Sequence, residues 1–183
     1  PTDELLADDE RARYTDAVET ALRRYRESLP GARQAVYDLY RFRDMARKVV
    51  GVGSVGTRAW VMLFLGRDSR DPLFLQAKQA QASVLERFVG RSRFRYAGRR
   101  VVEGQRLMQA VSDILLGWYH VTGFDGRNHD FYVRQLWDAK GSARIDQMSP
   151  RAMTVYARLC GGVLANAHAR SGDRVAIASY LGG

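Results

Sequence analysis

The chain has 183 residues, 46% of them apolar, a formal charge of +9 and a single cysteine. That length suits one domain with its own core, or a small domain with a helical appendage, and the apolar share excludes a disordered chain. The charge admits anionic partners (nucleotides, phosphorylated substrates, nucleic acid) without choosing among them. Cys160 cannot close an internal disulfide; in an apolar helical pattern it reads as a buried, reduced thiol of a cytoplasmic protein. No apolar run reaches the length of a membrane span, and the acidic start (Asp3, Glu4, Asp8, Asp9, Glu10) is no signal peptide.

Residues 8–28 carry Tyr14, Ala17, Val18, Ala21, Leu22 and Tyr25 at the i, i+3, i+4 spacing of an amphipathic helix, which Leu29-Pro30-Gly31 ends. A second helix is expected on Ala35, Val36, Leu39, Tyr40 and Ala46, its interleaved arginines on a solvated face. Three strands then follow near 48–53, 58–65 and 73–78. A glycine cluster separates the first two and a polar turn, Gly66 to Pro72, the last two. Helical spacing returns over Gln79–Val89 and Val101–Ala110, around a basic stretch from Gly90 to Arg100. Two further strands are expected near 112–121 and 130–137, joined by turn residues from Gly123 to Asn128. Ser149-Pro150 marks the start of a long helix faced by Met153, Tyr156, Leu159, Cys160, Val163 and Leu164, and a short one ends near Tyr180. The pattern predicts an α+β fold: a five-stranded antiparallel sheet with flanking helices at both ends. It divides as an N-terminal helical segment over 1–47, the sheet with inserted helices over 48–138, and C-terminal helices over 139–183.

The glycines Gly51, Gly53 and Gly56, with Ser54 among them, follow G-x-G-x-x-G. In a dinucleotide-binding fold such glycines lead into a helix. Here Ala59-Trp60-Val61-Met62-Leu63-Phe64-Leu65 follows, rich in β-branched and aromatic residues and without a helix cap, so a strand is expected. A glycine loop between antiparallel strands, with a lysine ending the next strand, is the protein-kinase arrangement. Glycine lets backbone N–H groups approach phosphate oxygens, the lysine meets them as a point charge, and a helix glutamate positions that lysine. Lys78 is the lysine candidate, against the plain reading of a strand-end lysine. Glu103, on the helix before the fourth strand, and Glu86, closer in sequence, are the two glutamate candidates, and either could be an ordinary solvated acid. Trp137-Asp138-Ala139-Lys140-Gly141 occupies the place of the hinge that meets adenine. ATP with Mg²⁺ is the cofactor this reading calls for. His120, His129 and His168 show no metal-ligand spacing. Two other readings stand beside it: a non-catalytic interaction domain, in which the glycines only tighten a hairpin, and a nucleic-acid binder using Arg91 to Arg100 with Phe94 and Tyr96.

The blocks VVGVGSVGTR (49–58), LFLQAKQAQASVLE (73–86), VVEGQRLMQAVSDILLGW (101–118), FYVRQL (131–136) and HARSGD (168–173) together resemble a bacterial domain-of-unknown-function family, numbered twenty-two fifty-two, over the chain from about Leu29 onward. The resemblance brings no established activity. It implies longer members in which an upstream block resembles the catalytic and metal-binding loops of aminoglycoside-type phosphotransferases. This chain then corresponds to the C-terminal, nucleotide-lobe-like part, to be completed by that segment or by a partner chain. His168 to Asp173 is superficially similar to a catalytic loop, yet no asparagine follows Asp173 at the spacing a metal ligand needs.

Overall fold

The computed structural model describes residues 8–48, 56–123, 125–136, 141 and 143–182, with first-helix side chains described from Thr15 onward. The chain divides into two compact units, Pro1–Val102 with Asp113–Leu136, and Glu103–Ser112 with Trp137–Gly183.

The first unit is built on five antiparallel strands: β1 (Arg41–Arg47), β2 (Ala59–Leu65), β3 (Pro72–Ala80), β4 (Gly117–Thr122) and β5 (Asn128–Gln135), in the order β1-β2-β3-β5-β4. Two helices precede the sheet, α1 (Asp8–Ser28) and α2 (Gly31–Tyr37); the short α3 (Glu86–Val89) and α4 (Ala97–Met108) lie between β3 and β4. A strand follows Gly56 and pairs antiparallel with the strand before it, which excludes the dinucleotide arrangement.

Side chains paired directly across neighbouring strands share a face, so the register sorts the sheet into two. One face carries Met62 and Phe64, Leu73, Leu75 and Ala77, and Tyr119, Phe131 and Val133. It is packed by α1 through Tyr25, by Leu29 just after that helix, and by α2 through Tyr37. Rings meet edge-on from Tyr25 to Tyr37 (5.3 Å), Tyr37 to Phe64 (5.5 Å) and Phe64 to Phe42 (5.6 Å). The fully buried Tyr25 donates its hydroxyl to the Leu115 carbonyl at 2.6 Å, and burial raises the pKa of that phenol. The α1 helix also closes the free edge of β4: Ser28 Oγ accepts from the Trp118 N–H, and an Arg24 guanidinium N–H donates to the His120 carbonyl. Those bonds occupy backbone groups that an open edge would offer to another strand.

The opposite face carries Ala59, Phe74, Gln76, Lys78, Tyr132 and Arg134. The start of α4 meets the sheet where the Ala97 N–H donates to Asp130 Oδ2 at 2.6 Å. Gly98 lies so close to β5 that a Cβ there would stand 2.4 Å from the Phe131 carbonyl oxygen.

The structure moves several expected boundaries. Arg41–Arg47 is strand, where a continuation of the second helix was expected. The register shifts between Phe42 and Asp44, and the resulting bulge leaves Phe42 and Met45, three residues apart, facing Phe64 and Met62. One extra residue in a strand thus reproduces the i, i+3 spacing of a helix. The expected strand at 48–53 falls almost wholly on residues outside those described. β3 continues to Ala80, so Lys78 stands two residues inside the strand and Gln79 belongs to it rather than to a helix. Asp113 shortens the fourth strand: its carboxylate accepts from the Leu115 N–H (2.8 Å) and the Gln135 N–H (2.6 Å), making a buried turn of Leu115 and Leu116 before β4 begins.

In the second unit, α5 (Pro150–Ser171) starts as expected, with Ser149 capping the Ala152 N–H and Pro150 in the first turn. Asp173 caps α6 (Arg174–Leu181). Cys160 is exposed, against the expectation of a buried thiol. The helix that packs on α5 has 8 residues against its 22, so it spans about 12 Å of a helix about 33 Å long and leaves most of the stripe open within this unit.

Candidate functional site

β1 and β2 flank the glycine segment: Arg47 pairs with Trp60, and the Lys48 N–H donates to the Ala59 carbonyl at 2.8 Å. Gly56 has φ +82°, a left-handed backbone that favours glycine. Gly51, Gly53 and Ser54 lie outside the described residues, as does most of the expected hinge, 137–140.

Lys78 is on the middle strand of the sheet, directly across from Ala59 on β2 and Tyr132 on β5. It is half-buried, on the face opposite α1, with Gln76 and Ala80 as its neighbours two residues away on the same strand. Ala59 and Ala80 are small and buried. Burial raises the Tyr132 phenol pKa while Arg134 lowers it. The two glutamate candidates sit in different surroundings. Glu103 pairs with Arg106 one turn along α4 at 3.3 Å. Glu86 opens α3, where its carboxylate accepts from the Ser83 N–H at 3.5 Å.

The basic stretch 90–100 uses its aromatic rings internally. Tyr96 stacks on Trp118 (5.2 Å) and leans on His120 (4.8 Å), while Phe94 lies under the guanidinium groups of Arg93 and Arg99. Arg99 and Arg100 belong to α4, and Arg100 donates to the Gln81 carbonyl at 2.8 Å. Asp173, the aspartate of the loop-like HARSGD, accepts from the Val175 and Ala176 N–H groups, so its carboxylate serves as a helix cap.

Two histidine–aspartate pairs escaped the sequence reading. His120 Nδ1 is 2.7 Å from Asp130 Oδ1 across the β4–β5 pair. His129 lies within a ring of four residues. The Arg58 N–H donates to Gln79 Oε1 (3.0 Å), Gln79 Nε2 contacts His129 Nδ1 (3.2 Å), His129 Nε2 contacts Asp125 (2.9 Å), and Arg58 Nη2 closes the ring on Asp125 at 2.8 Å. The His129 and Arg127 hydrogen bonds pull the Asp125 carboxyl down to about 2. The ring ties the exit of the glycine segment to the β4–β5 turn. Its only sequence signal is the spacing of Asp125 and His129 around a glycine turn, and without the register that spacing means little. Among the described residues no group of three or more His, Cys, Asp or Glu side chains could hold a metal ion, and no helix is long and apolar enough to cross a membrane.

The fold is that of an α+β protein organised by one antiparallel sheet, with β1 and β2 paired at one edge and a lysine on its middle strand. The chain belongs to the family described as "Uncharacterized protein conserved in bacteria (DUF2252)", which it matches over residues 3–183. The match therefore begins well before Leu29 and includes α1. No curated protein and no solved structure matches the chain.

Proposed function

We propose that the sheet is a nucleotide-binding lobe of a kinase-like phosphotransferase, taking ATP on the face that bears Lys78. The observation that carries this reading is Lys78 itself: a half-buried lysine on the middle strand, next to β2 of the β1–β2 pair, with alanines across from it and two residues along its strand. A lysine ammonium meets phosphate oxygens as a point charge. Glu86, in the same unit, is the acid that would orient it. Bound Mg²⁺ would neutralise phosphate charge and would be carried chiefly by the phosphates. The aspartate that a phosphotransferase sets beside its acceptor comes, in this proposal, from an upstream segment of the same protein or from a partner chain, since Asp173 is committed to capping α6.

A rival reading, a non-catalytic interaction domain, draws support from α5, where Val155, Leu159 and Val163 are more than half exposed along one stripe. Calorimetric titration with Mg-ATP separates the two. The nucleotide reading expects saturable binding that Lys78→Ala weakens about tenfold or more, a loss of about 1.4 kcal/mol per decade. Binding that Lys78→Ala leaves unchanged would remove the lysine from the site, and no binding at all would favour the interaction domain.

A further inference from the structure

The other face of the sheet holds a second feature that the nucleotide reading does not use. A cavity of ≈ 280 Å³ opens between α1 and the strands. Its wall is apolar, formed by Ala21 and Leu22 of α1, Trp60 and Met62 of β2, and Tyr119 and Phe131 of β4 and β5. Native interiors pack at crystal-like density, and an apolar cavity of about 150 Å³ is already enough to stay dry and accept benzene. A larger space beside three aromatic rings is a binding volume.

Its polar end is formed by Arg58, Asp125 and His129. Hydrogen-bond logic fixes their states. Gln79 Nε2 donates to His129 Nδ1, so His129 Nε2 carries the proton it gives to Asp125. Arg58 Nη1 stands 3.3 and 3.2 Å from the two ring nitrogens, which places it over the imidazole face. The imidazole is then neutral, and the Arg58 cation is balanced by the Asp125 anion. The end of the cavity offers donors and acceptors with no net charge. An ionised head group would meet an opposed charge there as closely as a matching one, whereas a hydroxyl or amide can donate to Asp125 and accept from Arg58.

We propose that this cavity binds a small, uncharged aromatic molecule bearing a hydroxyl or amide group. The ring lies among Trp60, Tyr119 and Phe131, and the polar group faces Arg58 and Asp125. The site lies on the sheet face opposite Lys78, so its occupancy does not depend on the nucleotide reading.

The test titrates the 183-residue chain with para-cresol and with 4-methylbenzoate, following methyl resonances by NMR. Para-cresol should shift the Met62 and Ala21 methyls saturably, show nuclear Overhauser contacts to both, and bind at least tenfold more tightly than 4-methylbenzoate. Ala21→Phe, which fills the cavity, should abolish binding; Val121→Phe does the same from β4 should the first variant not fold. Absence of the contacts to Met62 and Ala21, equal or tighter binding of the carboxylate, or binding that survives the filled cavity would each overturn the proposal.

Discussion

The two faces of β3 teach different things although they alternate residue by residue. Leu73, Leu75 and Ala77 point to the α1 side and are buried in one continuous core with Tyr25, Met62, Phe64 and Val133. Phe74 on the other side is 44% exposed, and Lys78 is half-buried. A sheet face packed by helices reads as stability, because burial of apolar area is the largest favourable contribution to folding. The Lys78 face is mixed instead: Ala59, Gln76 and Ala80 are buried, while a half-buried lysine and an exposed phenylalanine stand among them. The comparison sets one continuous apolar core on the α1 side, with the proposed cavity beside it, against a mixed face that carries the proposed nucleotide site.

Substitutions on the same strand should break it most sharply. Leu75→Ala removes a side chain with no exposed surface and should cost about 2–5 kcal/mol in denaturant unfolding. Lys78→Ala, three residues on, should cost at most about 1 kcal/mol. Equal losses would mean that the lysine face is as structural as the other.

Next in size is Gly98. A Cβ there meets the Phe131 backbone, which cannot move aside as a flexible side chain would, so Gly98→Ala should cost about 1–3 kcal/mol. Gly104, on the same helix, has no atom within 4 Å of such a Cβ, and Gly104→Ala should stabilise the protein by about 0.5–1 kcal/mol. Losses of similar size at both positions would show that helix propensity, rather than close approach to β5, governs α4.

The smallest expected effect is a pH dependence. Asp125 titrates at about 2 in the folded protein, held down by His129 and then by the Arg127 N–H, against about 3.9 in an unfolded chain. A depressed folded value stabilises above the unfolded value, and that contribution is lost as pH falls from about 4 toward about 2. Asp125→Asn should therefore show a shallower fall of melting temperature across that window than the wild type. Parallel curves would assign the acid sensitivity to other carboxylates.

Much of this fold could be read from the sequence. The cap at Ser149, the turn chemistry at Gly123–Asn128 and the antiparallel sequel to Gly56 are local signals, and the structure carries each of them. β1 was hidden because the second helix was carried past Tyr40 to Ala46, and only the pairing of Phe42 with Phe64 and Met45 with Met62, across a bulge, shows a strand there. The extension of β3 through Gln79 and Ala80 depends on pairing with Phe131 and Asp130, fifty residues away. The cavity and the Arg58–Gln79–His129–Asp125 ring were illegible for the same reason: they arise where separate strands and a helix meet. Lys78 was singled out on strand order and a glycine cluster, which are local features; which of Glu86 and Glu103 would pair with it turns on helix placement, and sequence left that open.

The proposed nucleotide site on the lysine face is tested most directly by methyl NMR during a titration with Mg-ATP. Ala59 and Ala80 report the lysine face, and Ala77 and Met62 report the face packed by α1. The account predicts saturable shifts at Ala59 and Ala80, lost in Lys78→Ala, with Ala77 and Met62 unmoved. Shifts concentrated at Ala77 and Met62, or none at any of the four methyls, would contradict it.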